Sequence, residues 1–372
     1  MPSRIALMAT VETKAEETRF LEEALTAKGC APLVVDLSLA AGGDVLSGEG
    51  KRARMAEVAE TTSARLAQES VDGAVAIGGG TGGQIALDVL RSLPLRTPKM
   101  LVTTLPFDPR SALADDAIML VPTLVDIAGL NGPLRRALTQ AATMLAAVVT
   151  DPVEPDRPAI GLTALGVTRQ AADAMVEGLR ALGHEALVFH ANGYGGAGFA
   201  RFAREGGFSG VIDMTVHEVT RYEIAGVFAA TPDRFSCAVD LPRVVLPGGL
   251  NFLGLGRLED LSAEHRARPH YRHSTLFTHV AVSDAEIDRV AEGLAAELNA
   301  ARKATTVLLP MGGFSSEDCP GGALENPALR ERAAEILEAQ AERYRVERLT
   351  SHINEPETAR AAIEALTRNM AD

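Results

Sequence analysis

A run of glycines around one threonine is the stretch of this sequence best suited to binding an anion. Gly78-Gly79-Gly80-Thr81-Gly82-Gly83 follows an apolar strand pattern, Val71 to Ile77, and precedes a helical pattern that begins near Gln84. Glycines let the backbone turn sharply and approach a ligand, and the N-terminus of the next helix offers unpaired N–H groups. We predict a phosphate or carboxylate site here, with a tight structural turn as the alternative.

This turn departs from two well-known nucleotide-binding motifs. A P-loop continues with Lys and then Ser or Thr, whereas Gln84 and Ile85 follow the last glycine. A dinucleotide fingerprint can be placed on three of the glycines, but no acidic residue ends the next predicted strand, Lys99 to Thr104. The turn therefore predicts an anion site without specifying the ligand.

A polar segment near the N-terminus is a second candidate for ligand contacts. Arg4 to Thr10 is predicted to be a strand, and Thr10, Thr13 and Lys14 lie where that strand passes into a helix. Lys14 can supply the cation that the glycine turn lacks. The alternative is a surface lysine in the first turn of the helix.

Candidates for acid–base chemistry lie in the second half of the chain, which holds all eight histidines. His190 ends a predicted strand before a second glycine-rich turn with Gly193, Gly195 and Gly196, and it can act as an acid, a base or a structural hydrogen-bond donor. Glu218 follows another predicted strand as a candidate general base, or as a helix N-terminal acid without a catalytic role.

Further loops at strand ends add weaker candidates. His273 in His270-Tyr-Arg-His273 can face a phosphate or carboxylate, or lie in a solvated loop, and Gly248 and Gly249 follow the predicted strand Arg243 to Leu246. Ser315 and Ser316 lack the GxSxG surroundings of a nucleophile. Because the sequence has no HExxH or similar ligand spacing, we predict no metal site.

Composition narrows the possible partners and compartment. The formal net charge is −13 and no basic cluster occurs, which argues against nucleic acid. The longest apolar run, near Ala141 to Val149, is shorter than the ~20 residues of a membrane helix, so we expect no membrane partner. Three widely spaced cysteines favour a reducing, cytoplasmic location.

Strands alternate with helices along the chain, the pattern of parallel sheets covered on both faces. We predict an α/β protein with an N-terminal lobe at residues 1–152 and a C-terminal lobe at 158–372, separated by the proline-rich segment 151–158. The second half resembles a repeat of the first. Two similar lobes would then face each other across a central cleft, with ligand groups at the C-terminal ends of both sheets. The two alignments that suggest duplication pair Gly29–Asp36 with Gly183–His190, and Gly73–Thr81 with Gly210–Glu218.

An ordered set of motifs resembles a largely uncharacterised bacterial and plant family related to the N-terminal region of the tomato mosaic virus resistance protein, described as an ATP-binding domain. No single motif is specific, but they span nearly the whole chain in family order. The motifs are Thr10-Val-Glu-Thr-Lys-Ala-Glu-Glu17, Gly78 to Gly83, His190-Ala-Asn-Gly-Tyr-Gly-Gly196, Thr215-Val-His-Glu218, Pro247-Gly-Gly249, His273 to Thr278 and His352-Ile-Asn354.

The resemblance implies two Rossmann-like lobes, a cytoplasmic homodimer, and ATP or a related nucleotide in the glycine-lined cleft, with Mg²⁺ if a triphosphate is bound. The chain departs from the family at two places. Ala281 replaces an expected arginine, and an acidic residue expected near Phe199 and Ala200 is absent. These departures leave room for another phosphorylated or carboxylated ligand.

We expect a protein that binds a nucleotide or another phosphate ligand through both glycine turns. The alternative is a hydrolase or lyase that acts on a small oxo-acid or phosphorylated metabolite. In that case His190, Glu218 and His273 would be the acid–base groups, and the glycine turns would hold carboxylate or oxyanion groups.

Overall fold

Two α/β units make up the chain, Met1–Pro155 and Asp156–Asp372. The computed structural model describes residues 2–39, 48–106, 108, 113–150, 158–225 and 233–372. The predicted proline-rich linker lies outside these residues except for Pro158.

A five-stranded parallel sheet forms the centre of the N-terminal unit. Its strands are β1 (Arg4–Ala9), β2 (Ala31–Asp36), β3 (Gly73–Gly78), β4 (Lys99–Thr103) and β5 (Met119–Pro122). Their order across the sheet is β2-β1-β3-β4-β5. The apolar run Ile5 to Ala9 is completely buried, as expected for a central strand covered on both faces.

The described helices of this unit cover both faces of the sheet. They are α1 (Val11–Thr26), α2 (Gly48–Ala67), α3 (Gly80–Ser92) and α4 (Gly132–Thr150). Ile5 and Leu7 of β1 pack with α1 and α4, whereas the intervening Ala6 and Met8 pack with α2 and α3. This division follows from the strand period of two, which sends neighbouring side chains to opposite faces.

The C-terminal unit contains two sheets. Its described strands are β6 (Ala159–Ala164), β7 (Ala186–His190), β8 (Phe208–Thr215), β9 (Arg243–Gly248), β10 (Phe252–Leu255), β11 (His270–Tyr271), β12 (Thr278–Ala281), β13 (Thr305–Pro310) and β14 (Arg345–Leu349). Six of them form a parallel sheet in the order β14-β13-β9-β8-β6-β7. The other three form a small antiparallel sheet in the order β10-β12-β11.

Helices cover both faces of the parallel sheet in this unit too. The described α-helices are α5 (Arg169–Ala181), α6 (Gly195–Arg204), α7 (His217–Thr220), α8 (Ala263–Ala267), α9 (Asp284–Leu298), α10 (Pro327–Ala339) and α11 (Pro356–Ala371). α5 and α11 pack on one face, and α9 and α10 pack on the other. Two predicted helix starts are confirmed, because Ser283 and Glu286 form a capping box and Asn326 caps the helix that begins at Pro327.

The predicted α/β fold with mainly parallel sheets is confirmed. The two parallel sheets also share a strand order. When the strands of each sheet are numbered along the chain, the first five lie in the order 2-1-3-4-5. The two aligned segment pairs correspond to β2 with β7 and β3 with β8, which occupy equivalent positions in the two sheets. The sequence does not predict the small antiparallel sheet, because β11 has only two residues and its one histidine, His270, resembles a loop residue.

Candidate functional site

The strand order of each sheet identifies the edge where a ligand is expected. In a doubly wound sheet, ligands bind outside the carboxyl ends of the strands where the order reverses. In the N-terminal unit this point lies between β1 and β3, so the Thr10 loop and the Gly78–Gly83 turn flank it. In the C-terminal unit the equivalent point lies between β6 and β8.

The first glycine turn, Gly78–Gly83, is packed tightly against itself. A Cβ atom on Gly78 would lie 2.3 Å from the amide nitrogen of Gly83, and the Gly83 N–H donates to the Gly79 carbonyl oxygen at 2.8 Å. α3 begins at Gly80, so the predicted helix start near Gln84 is wrong by about one turn. The glycines belong to the helix because its first turn fits closely against the end of β3.

Threonines follow other strands at the same carboxyl edge of the sheet, and two of them lie beside this turn. A Cβ atom on Gly82 would lie 3.2 Å from Thr10 Cγ2, and one on Gly79 would lie 3.6 Å from Thr104 Oγ1. Thr123, which follows β5, has a buried hydroxyl without a hydrogen-bond partner in the described part of the chain. The carboxyl edge of the sheet therefore offers small hydroxyl side chains beside the turn.

The outer side of the first glycine turn is open. Gly80 is exposed, and a Cβ atom there would meet nothing within 4 Å. Within the described ranges, no side chain accepts a hydrogen bond from the N–H groups of Gly80, Thr81 or Gly82. Leu105, just beyond β4, has a left-handed backbone with φ of 52°, a conformation that is costly for a leucine and often occurs at functional sites.

At the N-terminus of the neighbouring helix α1, backbone N–H groups donate hydrogen bonds to side chains of the same unit. The N–H of Val11 donates to Asp36 Oδ1 at 3.0 Å, and the N–H of Glu12 donates to Ser38 Oγ at 3.1 Å. Partial burial raises the pKa of Asp36, but hydrogen bonds from Ser38 and Val11 outweigh it and lower this pKa overall. The Asp36 carboxylate thus occupies the position that an external anion would take at α1.

The predicted ligand residues of the Thr10 loop make internal contacts. The hydroxyls of Thr10 and Thr13 lie 3.0 Å apart, and Lys14 Nζ donates to the carbonyl oxygen of Ile127. Lys14 is therefore held by the backbone rather than left as a mobile countercharge. Its role as the cation for the glycine turn stays a prediction.

The second glycine turn, Gly193–Gly196, binds an anion that the protein itself supplies. Glu218 Oε1 accepts hydrogen bonds from the N–H groups of Gly193 at 2.6 Å and Gly196 at 3.2 Å. Gly193 has φ of 102°, and a Cβ atom on Gly196 would lie 2.2 Å from Glu218 Oε2. Both positions need glycine so that the backbone can close around the carboxylate.

A buried charge network holds this carboxylate. Arg234 donates through Nε to Glu218 at 2.6 Å and through its terminal nitrogens to Asp213 at 2.8 and 2.9 Å. Arg243 and Thr163 complete the partners of Asp213. Burial raises the pKa of Asp213, but Arg234 and Arg243 lower it to about 2 overall. Two acids and two guanidinium groups thus balance their charges inside the C-terminal unit.

His190 and Glu218 meet the second glycine turn from different sides. A Cβ atom on Gly195 would lie 2.2 Å from the carbonyl oxygen of His190, whose side chain is exposed at the end of β7. The Glu218 side chain is 1% exposed and fully engaged with Arg234 and the turn. These contacts give Glu218 a structural role, and proton transfer by either residue stays a prediction.

Gly248 and Gly249 allow close packing between strands of the C-terminal unit. A Cβ atom on Gly248 would lie 2.3 Å from the carbonyl oxygen of Met214. Gly249 has φ of 71°, and its carbonyl oxygen lies 2.9 Å from Nδ1 of the buried His217. Because a carbonyl only accepts, His217 Nδ1 carries the proton. The predicted ligand role of these glycines stays a prediction beside these internal contacts.

His217 is uncharged in the folded protein. Burial lowers its pKa to about 3, and the charges of Arg221 and His279 act in the same direction, against the hydrogen bond to Gly249. Its ring stacks on Phe252 with centroids 4.5 Å apart. A neutral, aromatic-stacked imidazole at the end of β8 is a fixed hydrogen-bonding group rather than a proton carrier near pH 7.

His273 lies beside residues that the sequence did not single out. Its exposed ring stacks on His279 at a centroid distance of 4.8 Å, and His279 stacks on Phe252 at 4.2 Å. Glu317 from the loop after β13 lies 3.6 Å from His279 Nδ1. Burial raises the pKa of Glu317, but His279 outweighs it and lowers this pKa overall.

Several residues at these sites were missed because their partners are distant in sequence. Arg234 lies 16 residues from Glu218, and Glu317 lies 38 from His279 (317 − 279). The sequence spacing of His273 and His279 does not indicate that the two rings are in contact, because that contact depends on the antiparallel pairing of β11 and β12. Ser315, considered as a weak nucleophile, is buried and accepts a hydrogen bond from Asn251 Nδ2 at 3.2 Å.

The strand orders of the two parallel sheets define a protein of two doubly wound α/β units. Comparison with known families divides the chain into the same two parts. Residues 47–154 match the N-terminal domain, and residues 157–370 the C-terminal domain, of an uncharacterised protein family, UPF0261. The chain belongs to the UPF0261 family.

Relatives that match nearly the whole length come from several bacteria. A UPF0261 protein of Rhizobium meliloti (strain 1021) is 35% identical over 390 residues, which cover 97% of this chain and 98% of the relative. A UPF0261 protein of Clostridium tetani (strain Massachusetts / E88) is 28% identical over 100% of both chains.

The resemblance to the plant protein is also found. The ToMV resistance protein Tm-1(GCR237) of Solanum lycopersicum is 29% identical over 312 residues, which cover 80% of this chain and 41% of the tomato protein. A solved structure of MurG from Acinetobacter baumannii aligns over 99% of this chain and 94% of its own at 11% identity, with a TM-score of 0.24. Among the described residues, no helix has the length and apolarity needed to cross a membrane.

The Glu218→Gln substitution tests the buried carboxylate. We expect the free energy of unfolding to fall by roughly 3–5 kcal/mol, because the amide would leave two buried guanidinium groups, Arg234 and Arg243, with only the Asp213 carboxylate to balance them. Urea unfolding followed by circular dichroism measures this loss. Asp173→Asn, which removes an exposed ion pair with Arg169, is the matched control and should have a much smaller effect. Equal effects of the two substitutions would contradict the buried network.

The low pKa of His217 predicts a specific pH dependence of stability. In the unfolded state His217 takes up a proton near pH 6.5, whereas in the folded state it does so only near pH 3. Stability from this residue is therefore complete above pH 6.5 and is lost as the pH falls, by about 1.4 kcal/mol per unit. His217→Asn, which keeps a donor for the Gly249 carbonyl, should reduce the slope between pH 6 and 4 by that amount. An unchanged slope in urea unfolding would contradict the assignment.

Proposed function

We propose that the N-terminal unit binds a phosphate-bearing small molecule at the first glycine turn. The observation that carries the proposal is the start of α3 at a strand-order reversal, where no side chain in the described residues accepts from Gly80, Thr81 or Gly82. N–H groups at a helix N-terminus need acceptors, and an anion supplies them while interacting favourably with the helix dipole.

Comparison with other helix starts supports this proposal. α1 receives Asp36 and Ser38 as acceptors, and the second glycine turn receives Glu218. At the first glycine turn Gly80 is exposed, and no side chain of the described residues acts as the acceptor. An exogenous anion would therefore occupy the place that internal acceptors take elsewhere in the chain.

The side chains around the turn favour a phosphate group. Hydroxyls of Thr10 and Thr104 lie beside the glycines. Hydroxyls donate readily to phosphate oxygens. The family resemblance implies ATP, and a triphosphate would bring Mg²⁺ to offset its charge. We carry over from the same resemblance a cytoplasmic homodimer.

The alternative proposal is an enzyme that acts on a small oxo-acid or phosphorylated metabolite. His273 favours a chemical role in the C-terminal unit, since it stacks on His279 beside a carboxylate. Glu218 contributes little to this alternative because its carboxylate is already occupied. The ligand-binding proposal rests on the N-terminal unit and does not depend on it.

A charge introduced at Gly80 tests the proposed site. Open space at this position accommodates Gly80→Asp, and an acid in the first helical turn is compatible with the dipole. We expect ATP, ADP or inorganic phosphate to raise the thermal midpoint of the wild-type protein. A ligand at 100 times its dissociation constant stabilises the folded state by about 2.7 kcal/mol. Gly80→Asp should abolish this rise through repulsion.

Gly80→Asn is the matched control, because it adds nearly the same volume without charge. It should keep a measurable midpoint rise, and each ligand is tested with and without Mg²⁺. Dye-reported unfolding suits this chain because it has no tryptophan. An equal ligand response in Gly80→Asp and Gly80→Asn would overturn the proposed site.

A further inference from the structure

We propose that His273, His279 and Glu317 form a binding site for a divalent transition-metal ion in the C-terminal unit. One possible ligand atom from each residue lies within 4.8 Å of the others. This site belongs to a different unit from the first glycine turn, so it stands independently of the proposed phosphate site. It departs from the expectation from sequence that the chain has no metal site.

The separations suit a metal ion with little rearrangement. Ligand atoms about 2.0–2.1 Å from a tetrahedral zinc ion lie roughly 3.3–3.4 Å from each other. His279 Nδ1 and Glu317 Oε1 are already 3.6 Å apart. The exposed His273 side chain, on the loop between β11 and β12, can close the remaining distance by rotation.

The two inner side chains are buried yet incompletely hydrogen-bonded. His279 and Glu317 are each 9% exposed. In the described part of the chain, His279 Nδ1 and Glu317 Oε2 have no hydrogen-bond partner. Buried polar atoms normally have a partner, and leaving one unsatisfied costs about 1–3 kcal/mol. A metal ion between these side chains would satisfy both.

The antiparallel sheet positions His279, and the loop that follows β11 brings His273 against it. His279 pairs directly with Tyr271 across β12 and β11, and His273 follows Tyr271 by two residues. Phe252 stacks on the inner side of the His279 ring at 4.2 Å, so the imidazole orientation is fixed before any ion arrives.

Glu317 is fixed equally well by its own loop. Its carbonyl oxygen accepts from the Leu324 N–H at 3.0 Å. The next residue, Asp318, accepts from the N–H groups of Phe314 and Asn326 and pairs with Arg330. The carboxylate that faces His279 therefore projects from a braced backbone, as a metal ligand requires.

The donor set identifies the class of ion. Two imidazoles and one carboxylate suit zinc and neighbouring divalent transition metals, whereas calcium and magnesium prefer oxygen ligands alone. Three protein ligands leave a coordination position for water or a substrate group, which is the ligand number of catalytic rather than structural zinc sites. The structure thus assigns an open site of the two-histidine, one-carboxylate type.

Cobalt titration tests this site without an activity assay. Protein stripped with a chelator is titrated with Co²⁺, whose visible absorption reports coordination, and Zn²⁺ is then added in competition. We expect one Co²⁺ per chain, displaced by Zn²⁺. His273→Ala and Glu317→Gln should each weaken binding by roughly 10-fold or more, since even changes outside the ligand shell cost about that much.

His184→Ala removes a histidine of the same unit outside the site and should leave the titration unchanged. Because His273 is exposed, its substitution keeps the fold intact, and the thermal midpoint of each metal-free variant verifies this. Absence of a Co²⁺ signal in the wild-type protein would overturn the proposal. Equal Co²⁺ affinity in wild-type, His273→Ala and Glu317→Gln would also overturn it.

Discussion

The need to satisfy backbone N–H groups where helices begin at the carboxyl edge of a parallel sheet governs the candidate sites in both units. These groups have no partner within their own helix, and their dipoles point toward the same edge. The chain meets this need with Asp36 at α1 and with Glu218 at the second glycine turn. At α3 the described residues offer no side-chain acceptor, and the turn at Gly80 opens to solvent. The proposed ligand site at the first glycine turn rests on this missing acceptor.

Placing Glu218 inside the protein has consequences for the rest of the C-terminal unit. A buried carboxylate requires a cation, so Arg234 is buried too, and Arg234 in turn requires Asp213. Arg243 links this group to the start of β9. The network thus ties the glycine turn to the centre of the sheet. It also leaves the histidines near the small antiparallel sheet as the groups in this unit best placed for metal chemistry.

Local sequence patterns were sufficient for much of the fold but not for the partners within the sites. Alternating strands and helices, the capping box at Ser283 and the helix start at Pro327 were all predictable from short segments. The start of α3 was misplaced, because glycine has low helix propensity and only close packing against β3 explains its helical conformation. Glu317 was missed since its position near His279 depends on tertiary packing between a loop and a separate sheet. The roles of His190, Gly248 and Gly249 likewise depend on contacts that sequence spacing does not contain.

We propose that one glycine turn accepts an external anion, whereas Glu218 fills the other. Amide NMR of perdeuterated protein labelled with ¹⁵N-glycine tests both halves in one titration with ATP or inorganic phosphate. We expect the amide resonances of Gly79, Gly80 and Gly82 to shift with ligand concentration while those of Gly193 and Gly196 stay in place. Shifts at Gly193 and Gly196 without shifts at the first turn would contradict it.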